Sequence, residues 1–136
     1  MKTGYIKIIG ESVSQPNIEI DFANGTIWMD INEISDLFQV ETCIVNKNIT
    51  SLFKSNQLRQ SDVTYEHRYT NENGIYCIKI YYNLDVIVFL CFRVMSLQAE
   101  MFRCWITQNL CQSNQNGLLQ TIPNTELNGW TLAILN

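Results

Sequence analysis

Cys43, Asn46, Lys47, Thr50 and Lys54 follow one another at intervals of three, one, three and four residues, the spacing that puts side chains on one face of a helix. That set suits recognition better than bond-making. A carboxamide such as Asn46 can pair bidentately with adenine, and a threonine can touch a thymine methyl or steady a backbone. Lys47 and Lys54 carry the charge that phosphates attract. With Thr42 at the start of the same stretch and Arg59 just beyond it, the candidate nucleic-acid-binding residues are Thr42, Asn46, Lys47, Thr50, Lys54 and Arg59.

The rest of the chain offers little to catalysis. It has no Gly-rich phosphate loop, no H-E-x-x-H and no G-x-S-x-G. The single histidine, His67, lies between Glu66 and Arg68 in strand-like sequence, with no nucleophile in a recognisable relation to it. Five cysteines without a C-x-x-C pair are not spaced with His67 as ligands. Cys91, Cys104 and Cys111 fall in apolar helical sequence, where a free thiol behaves as a small hydrophobe. Asp30, Glu33 and Asp36 cluster, but at the spacing that starts a helix. An enzyme such as a nuclease or toxin would need those carboxylates beside a lysine in one cleft. Glu100 and Arg103 are spaced as a surface pair, and Arg93 and Arg103 flank Met95-Ser96, where they suit carbonyl capping. The expectation is a non-enzyme with no metal, no cofactor and no small-molecule substrate.

The elements that must position the recognition set are legible in the periodicity. Asp30 with Glu33 three residues on forms a capping box for a first helix, whose Ile31, Ile34, Leu37 and Phe38 share a face. A tight turn near Gln39-Val40 leads to a second helix over 42–54, with Val45, Ile49, Leu52 and Phe53 inward. Upstream, Tyr5–Ile9 and Asn17–Phe22 read as strands, the latter with Ile18, Ile20 and Phe22 on one side. Asn24-Gly25 is a hairpin turn with Thr26–Met29 as its return strand. Downstream the chain is extended after Leu58. Val63–Tyr69 and Ile75–Tyr82 flank Asn71–Gly74 as a second, aromatic-rich hairpin, in the place of a wing. Asn83 caps a helix through Val94 that is apolar almost all round, which predicts the most buried element. Ser96 caps a last helix of about 15 residues with Leu97, Met101, Trp105 and Leu110 or Cys111 inward. A polar break at 112–117 precedes an apolar end, Trp130–Leu135, expected as an arm or docked strand.

Of the 136 residues 46% are apolar, enough for a core. The longest uncharged apolar run, Val86–Phe92, is far short of the roughly 20 residues that span a bilayer, and the N-terminus lacks a signal-peptide core. No membrane partner and a cytoplasmic location are the expectations. The net charge of −4 argues against indiscriminate nucleic-acid binding. Its distribution is uneven. Residues 1–40 carry two lysines against six acids, whereas 41–60 carry Lys47, Lys54 and Arg59 against Glu41, the only positive block.

With those residues assembled, the chain resembles the RhuM family of bacterial proteins associated with virulence and mobile elements. The likeness runs from about Gly25 to Leu110. It begins with Trp28-Met-Asp, Glu33-Ile-Ser-Asp-Leu-Phe-Gln-Val40 and Val45-Asn-Lys-Asn-Ile49. The second signature is Tyr82-Asn-Leu-Asp85, Cys91-Phe-Arg-Val-Met-Ser96, Phe102-Arg-Cys-Trp105 and Ile106-Thr107-Gln-Asn-Leu110. The family's Ser-Arg-His run is here Asn46-Lys47-Asn48, and its small residue in the first helix is Ser35. The resemblance implies a DNA-binding-like module akin in style to the KilA-N and Bro-N types, standing at the N-terminal end of longer members.

The sequence therefore predicts an α+β fold: a winged helix-turn-helix-like core with antiparallel β-hairpins and two C-terminal helices. Residues 1–112 form that domain, and 113–136 the arm or docked strand. The expected function is a regulatory DNA-binding module, with 42–54 as the recognition helix on double-stranded DNA and a homodimer to strengthen a weak single module. The alternative is a protein-interaction module that positions a partner or fused effector domain without binding DNA. An exposed basic and amide-bearing surface at 42–59 favours the first; an apolar patch there favours the second.

Overall fold

In a computed structural model that describes residues 2–10 and 12–115, the helix pair forms as its local signals dictate. Asp30 accepts the Glu33 amide at 2.8 Å, and Glu33 Oε1 accepts the Asp30 amide at 3.2 Å. The capping box starts helix α1, Ile31–Phe38. Ile34, Leu37 and Phe38 bury its inner face. Gln39 then enters the left-handed region at φ 53°, and a three-residue turn leads to α2, Thr42–Lys54. Val45, Ile49 and Leu52 are buried on α2. A short helix α3, Gln60–Val63, follows where the sequence suggested extended chain.

Two antiparallel hairpins flank the helices, so the fold is mixed α+β, with two small sheets and five helices among the described residues. Strands β1, Tyr5–Ile9, and β2, Asn17–Asp21, pair with Ile6 opposite Ile20 and Ile8 opposite Ile18. Gly4, at φ 70°, lies where a Cβ would strike the Asp21 carbonyl. The Asn24-Gly25 turn does form, with φ of 54° and 82° and a bridge between Ala23 and Thr26. Its return strand does not. Trp28 donates its amide to Thr3 at 2.8 Å, and Met29 pairs with Tyr82. Ile27 is fully buried, which shows what won: this segment is pulled into the core and divides its hydrogen bonds between two different neighbours. Phe22, expected beside Ile18 and Ile20, is exposed.

Strands β3, Thr64–Thr70, and β4, Tyr76–Tyr82, form the second ribbon, turned by Asn71, whose Oδ1 accepts the amides of Asn73 and Ile75. Asn83 caps α4, Leu84–Cys91, three residues shorter than the sequence suggested. Val86, Ile87, Leu90 and Cys91 are buried, while Phe89 is only half-buried and Phe92 is exposed. The all-round apolar helix is thus not buried all round. Ser96 Oγ accepts the Ala99 amide at 3.0 Å and starts α5, Leu97–Gln115. Its inward residues are Ala99, Met101 and Phe102. Leu97 and Cys111, expected inward, are exposed, and Trp105 and Leu110 are half-buried. The helix starts at the expected cap, but its core side runs through Ala99, Phe102 and the half-buried Ile106.

Arg103 takes the capping role and not the Glu100 pairing. Its guanidinium donates to the carbonyls of Cys91 and Val94, closing the C-terminus of α4. Arg93 lies 4.8 Å over the Phe89 ring. Burial pushes the Cys91 thiol up to about 12, against the lowering influence of Arg103. Cys43 and Cys111 are exposed and Cys77 and Cys104 half-buried, so the buried-thiol expectation holds for Cys91 alone. No helix among the described residues is long and apolar enough to cross a membrane. The polar break expected from 112 does not end α5, which takes in the first three residues of the expected arm or strand at 113–136; the rest of that segment, 116–136, lies outside the described residues.

Candidate nucleic-acid interface

Helix α2 is held from behind and bare in front. Its three buried residues face the core, and Phe53 stacks on Tyr82 of β4, ring centroids 6.4 Å apart. Its approach is fixed by Ser35, a buried residue of α1 whose hydroxyl donates to the Val40 carbonyl while the Val40 amide donates to the Ser35 carbonyl at 3.1 Å. A larger residue at 35 would have to displace the turn it clamps. The left-handed Gln39 is tied by its amide and its Nε2 to the Asp36 carbonyl.

The structure brings Asn46, Lys47, Thr50 and Lys54 onto one solvent-facing stripe of α2 with Cys43 at its start; all are exposed. Among the described residues none of Lys47, Lys54 and Arg59 is in an ion pair, and Asn46 and Thr50 make no side-chain hydrogen bond. The neighbouring Asn48 differs, folding back to donate to the Ile44 carbonyl at 2.9 Å. Thr42 is exposed but is the first residue of the helix, not its cap. Glu41 holds the cap position, without a side-chain capping bond. Arg59 stands outside α2, at the N-cap of α3. Five of the six candidate residues therefore share α2, and Arg59 joins from a separate element.

The acidic cluster resolves differently. Lys79 of β4 lies 2.9 Å from Asp30, a pairing the sequence did not reveal because it joins residues 49 positions apart. Carboxylate and lysine do meet, but Asp30 is 5% exposed and one oxygen caps α1 while the other holds Lys79. Burial alone would raise the Asp30 pKa. The bonds from the Glu33 amide and from Lys79, with the lysine charge, outweigh it and hold the carboxyl below its usual range. A groove of about 580 Å³ lies nearby between β1 and α1, lined in part by Lys7, Glu33, Asp36 and Gln39, and no α2 residue reaches it. Among the described residues no group of three or more His, Cys, Asp and Glu is placed to hold a metal ion. His67 stacks on Tyr69, centroids 5.5 Å apart, on the outer hairpin.

One exposed feature escaped the sequence reading. Tyr76, Ile78 and Ile80 sit on one face of β4 and are 60%, 51% and 36% exposed. The alternation Tyr-Cys-Ile-Lys-Ile was visible, but alternation does not say whether its apolar side meets the core. Comparison of the chain with protein-family models, with curated proteins and with solved structures finds no match in any of the three.

Proposed function

We propose that the protein is a DNA-binding module of winged helix-turn-helix type, with α2 entering the major groove and the β3–β4 hairpin standing as its wing. The observation that carries this reading is the α2 stripe: an amide, two lysines and a threonine, all exposed and uncommitted, on a helix clamped by Ser35 and Phe53. A surface kept for polar ligands on a rigid support is what base and phosphate contacts need. In this reading Asn46 reads a base, Lys47 and Lys54 hold phosphates, and Thr42 and Thr50 set the register, with Arg59 adding charge at the exit. The resemblance to the RhuM family supports the same role, as a regulatory module of mobile-element or virulence-associated proteins acting in the cytoplasm. The acidic remainder of the chain makes single-module affinity low, and Lys47, Lys54 and Arg59 set its salt dependence.

The test is fluorescence anisotropy of the full chain with mixed-sequence duplexes over a salt series, against Lys47→Ala plus Lys54→Ala. Removing each phosphate-binding lysine should lower the magnitude of the salt slope by about one. A folded double variant with unchanged affinity and slope removes this face from the account.

The protein-interaction reading has its own observation, the apolar stripe on β4. It lies on the hairpin, however, and not on α2, where that reading had placed the contact.

A further inference from the structure

Among the described residues the outer edge of β4 beyond Tyr82 is unpaired, and it is also apolar. Tyr82 exchanges both backbone bonds with Met29, 2.8 and 2.9 Å, so its polar groups point away from β3. At the other end, Ile75 turns its carbonyl toward β3 to accept the Asn71 amide at 2.9 Å. Strand alternation then fixes the residues between: Tyr76, Ile78 and Ile80 present their amides and carbonyls to the outer edge, as Tyr82 does. Met29 pairs only at Tyr82, because α1 begins at Ile31 and turns away. Outward from Ile80 no described backbone group meets this edge. The same three residues carry the exposed apolar side chains, and their exposure rises toward the hairpin tip. No proline interrupts the strand, and its one charge, Lys79, lies on the opposite face in an ion pair with Asp30, so the usual guards of a free edge are missing from this face.

We infer that this edge pairs with the same edge of a second copy of the chain, antiparallel and centred on Ile78, joining two hairpins into one four-stranded sheet. The strand is complementary to itself in that register. Ile78 meets Ile78 of the second copy and Tyr76 meets Ile80, aromatic and β-branched pairs that stabilise adjacent strands. Cys77 meets Lys79, so no like charges are opposed, and Lys79 already carries its counter-charge in Asp30. Three part-exposed side chains and a strand edge amount to a few hundred Å² per copy, less than the ~800 Å² per partner of a standard stable interface. The dimer is accordingly weak and concentration-dependent. It uses neither α4 nor the C-terminal segment, and it stands whether or not α2 binds DNA.

Sedimentation equilibrium of the full chain, with residue-resolved amide exchange at low and high concentration, tests the pairing. The full chain should dimerise reversibly, and the amides of Tyr76, Ile78 and Ile80 should slow as concentration rises. Ile78→Lys should weaken dimerisation by more than about tenfold, because a charge would face itself across the axis, while Ile78→Val should retain it. Since Ile78 is half-exposed, both variants should melt as the parent does at low concentration. A chain that stays monomeric at about 200 μM, well above micromolar dissociation constants, overturns the inference. Protection of those amides that does not change with concentration also overturns it, because the edge is then covered within one chain. A dimer that survives Ile78→Lys places the contact elsewhere and overturns it as well.

Discussion

The two exposed surfaces that meet at the Phe53–Tyr82 stack could hardly differ more in chemistry. On α2 the stripe is amide, ammonium and hydroxyl; on β4 it is tyrosine and isoleucine. The α2 stripe lies opposite the core residues Val45, Ile49 and Leu52, whereas the β4 stripe runs outward from Tyr82, which packs against that core. A polar face left unpaired costs nothing in water and gains only when a polar ligand arrives. An apolar face left exposed is unfavourable until something covers it. The two proposals follow that contrast: phosphates and base edges for the helix, a protein strand for the hairpin.

The largest effect is expected from a change in the core behind α2. Leu90 is fully buried on α4 and belongs to the same core cluster as Val45, Ile49 and Leu52 behind α2. Leu90→Asp should abolish cooperative unfolding, because an unpaired buried carboxylate costs several kcal/mol. Far- and near-ultraviolet circular dichroism checks it. A near-native melting temperature would separate α2 from that core.

Asp30 joins α1, the helix whose Ser35 clamps the turn into α2, to the hairpin: it caps α1 and holds Lys79. Asp30→Ala should cost about 2 kcal/mol in denaturant unfolding, combining a missing cap with a broken pair. Asp30→Asn keeps a capping side chain and loses only the charge. Because Lys79 stays hydrated at its tip, that variant should cost less, about 1 kcal/mol. The pH dependence follows from the lowered carboxyl pKa. The charged form is favoured in the fold, so its stabilisation is complete above the ordinary value of 3.8 and fades as pH falls below it. Asp30→Asn should remove that part of the acid sensitivity.

A smaller change sharpens the contrast. Ile78→Thr keeps a β-branched residue while making the stripe more polar, and should shift unfolding by less than about 0.5 kcal/mol, as exposed substitutions usually do. The α2 surface should be unaffected, so the salt slope of DNA binding should not move. A changed slope would mean that the two faces are not independent.

Where the sequence was legible, the determinants were local. The capping box, the 3.6-residue periodicity of 31–54 and the hairpin turn at Asn71–Gly74 each depend on residues within one or two turns, and α1 and α2 appear at the expected residues. Pairing partners were not legible. Asn24-Gly25 makes its turn, yet β2 pairs back to β1 and the segment after the turn goes to Thr3 and Tyr82. The bond between Asp30 and Lys79 and the capping of α4 by Arg103 are tertiary in the same way. Ser35 was visible only as a small residue in the first helix. Its role as a clamp needed the left-handed turn at Gln39 to bring the Val40 carbonyl within reach. The α2 stripe was read in nearly full because solvent exposure on an amphipathic helix follows directly from periodicity, whereas both sides of a two-stranded ribbon can face water.

The central claim is that the exposed stripe of α2 is the surface that meets DNA. Amide and side-chain chemical shifts of the isotopically labelled full chain, followed while a mixed-sequence duplex is titrated in at low salt, address it most directly. The largest perturbations should fall on Thr42, Asn46, Lys47, Thr50 and Lys54, with the Asn46 carboxamide among them, while β1 and β2 stay unmoved. Perturbations confined to the β3–β4 hairpin or the β1–α1 groove, or none at millimolar duplex, would contradict it.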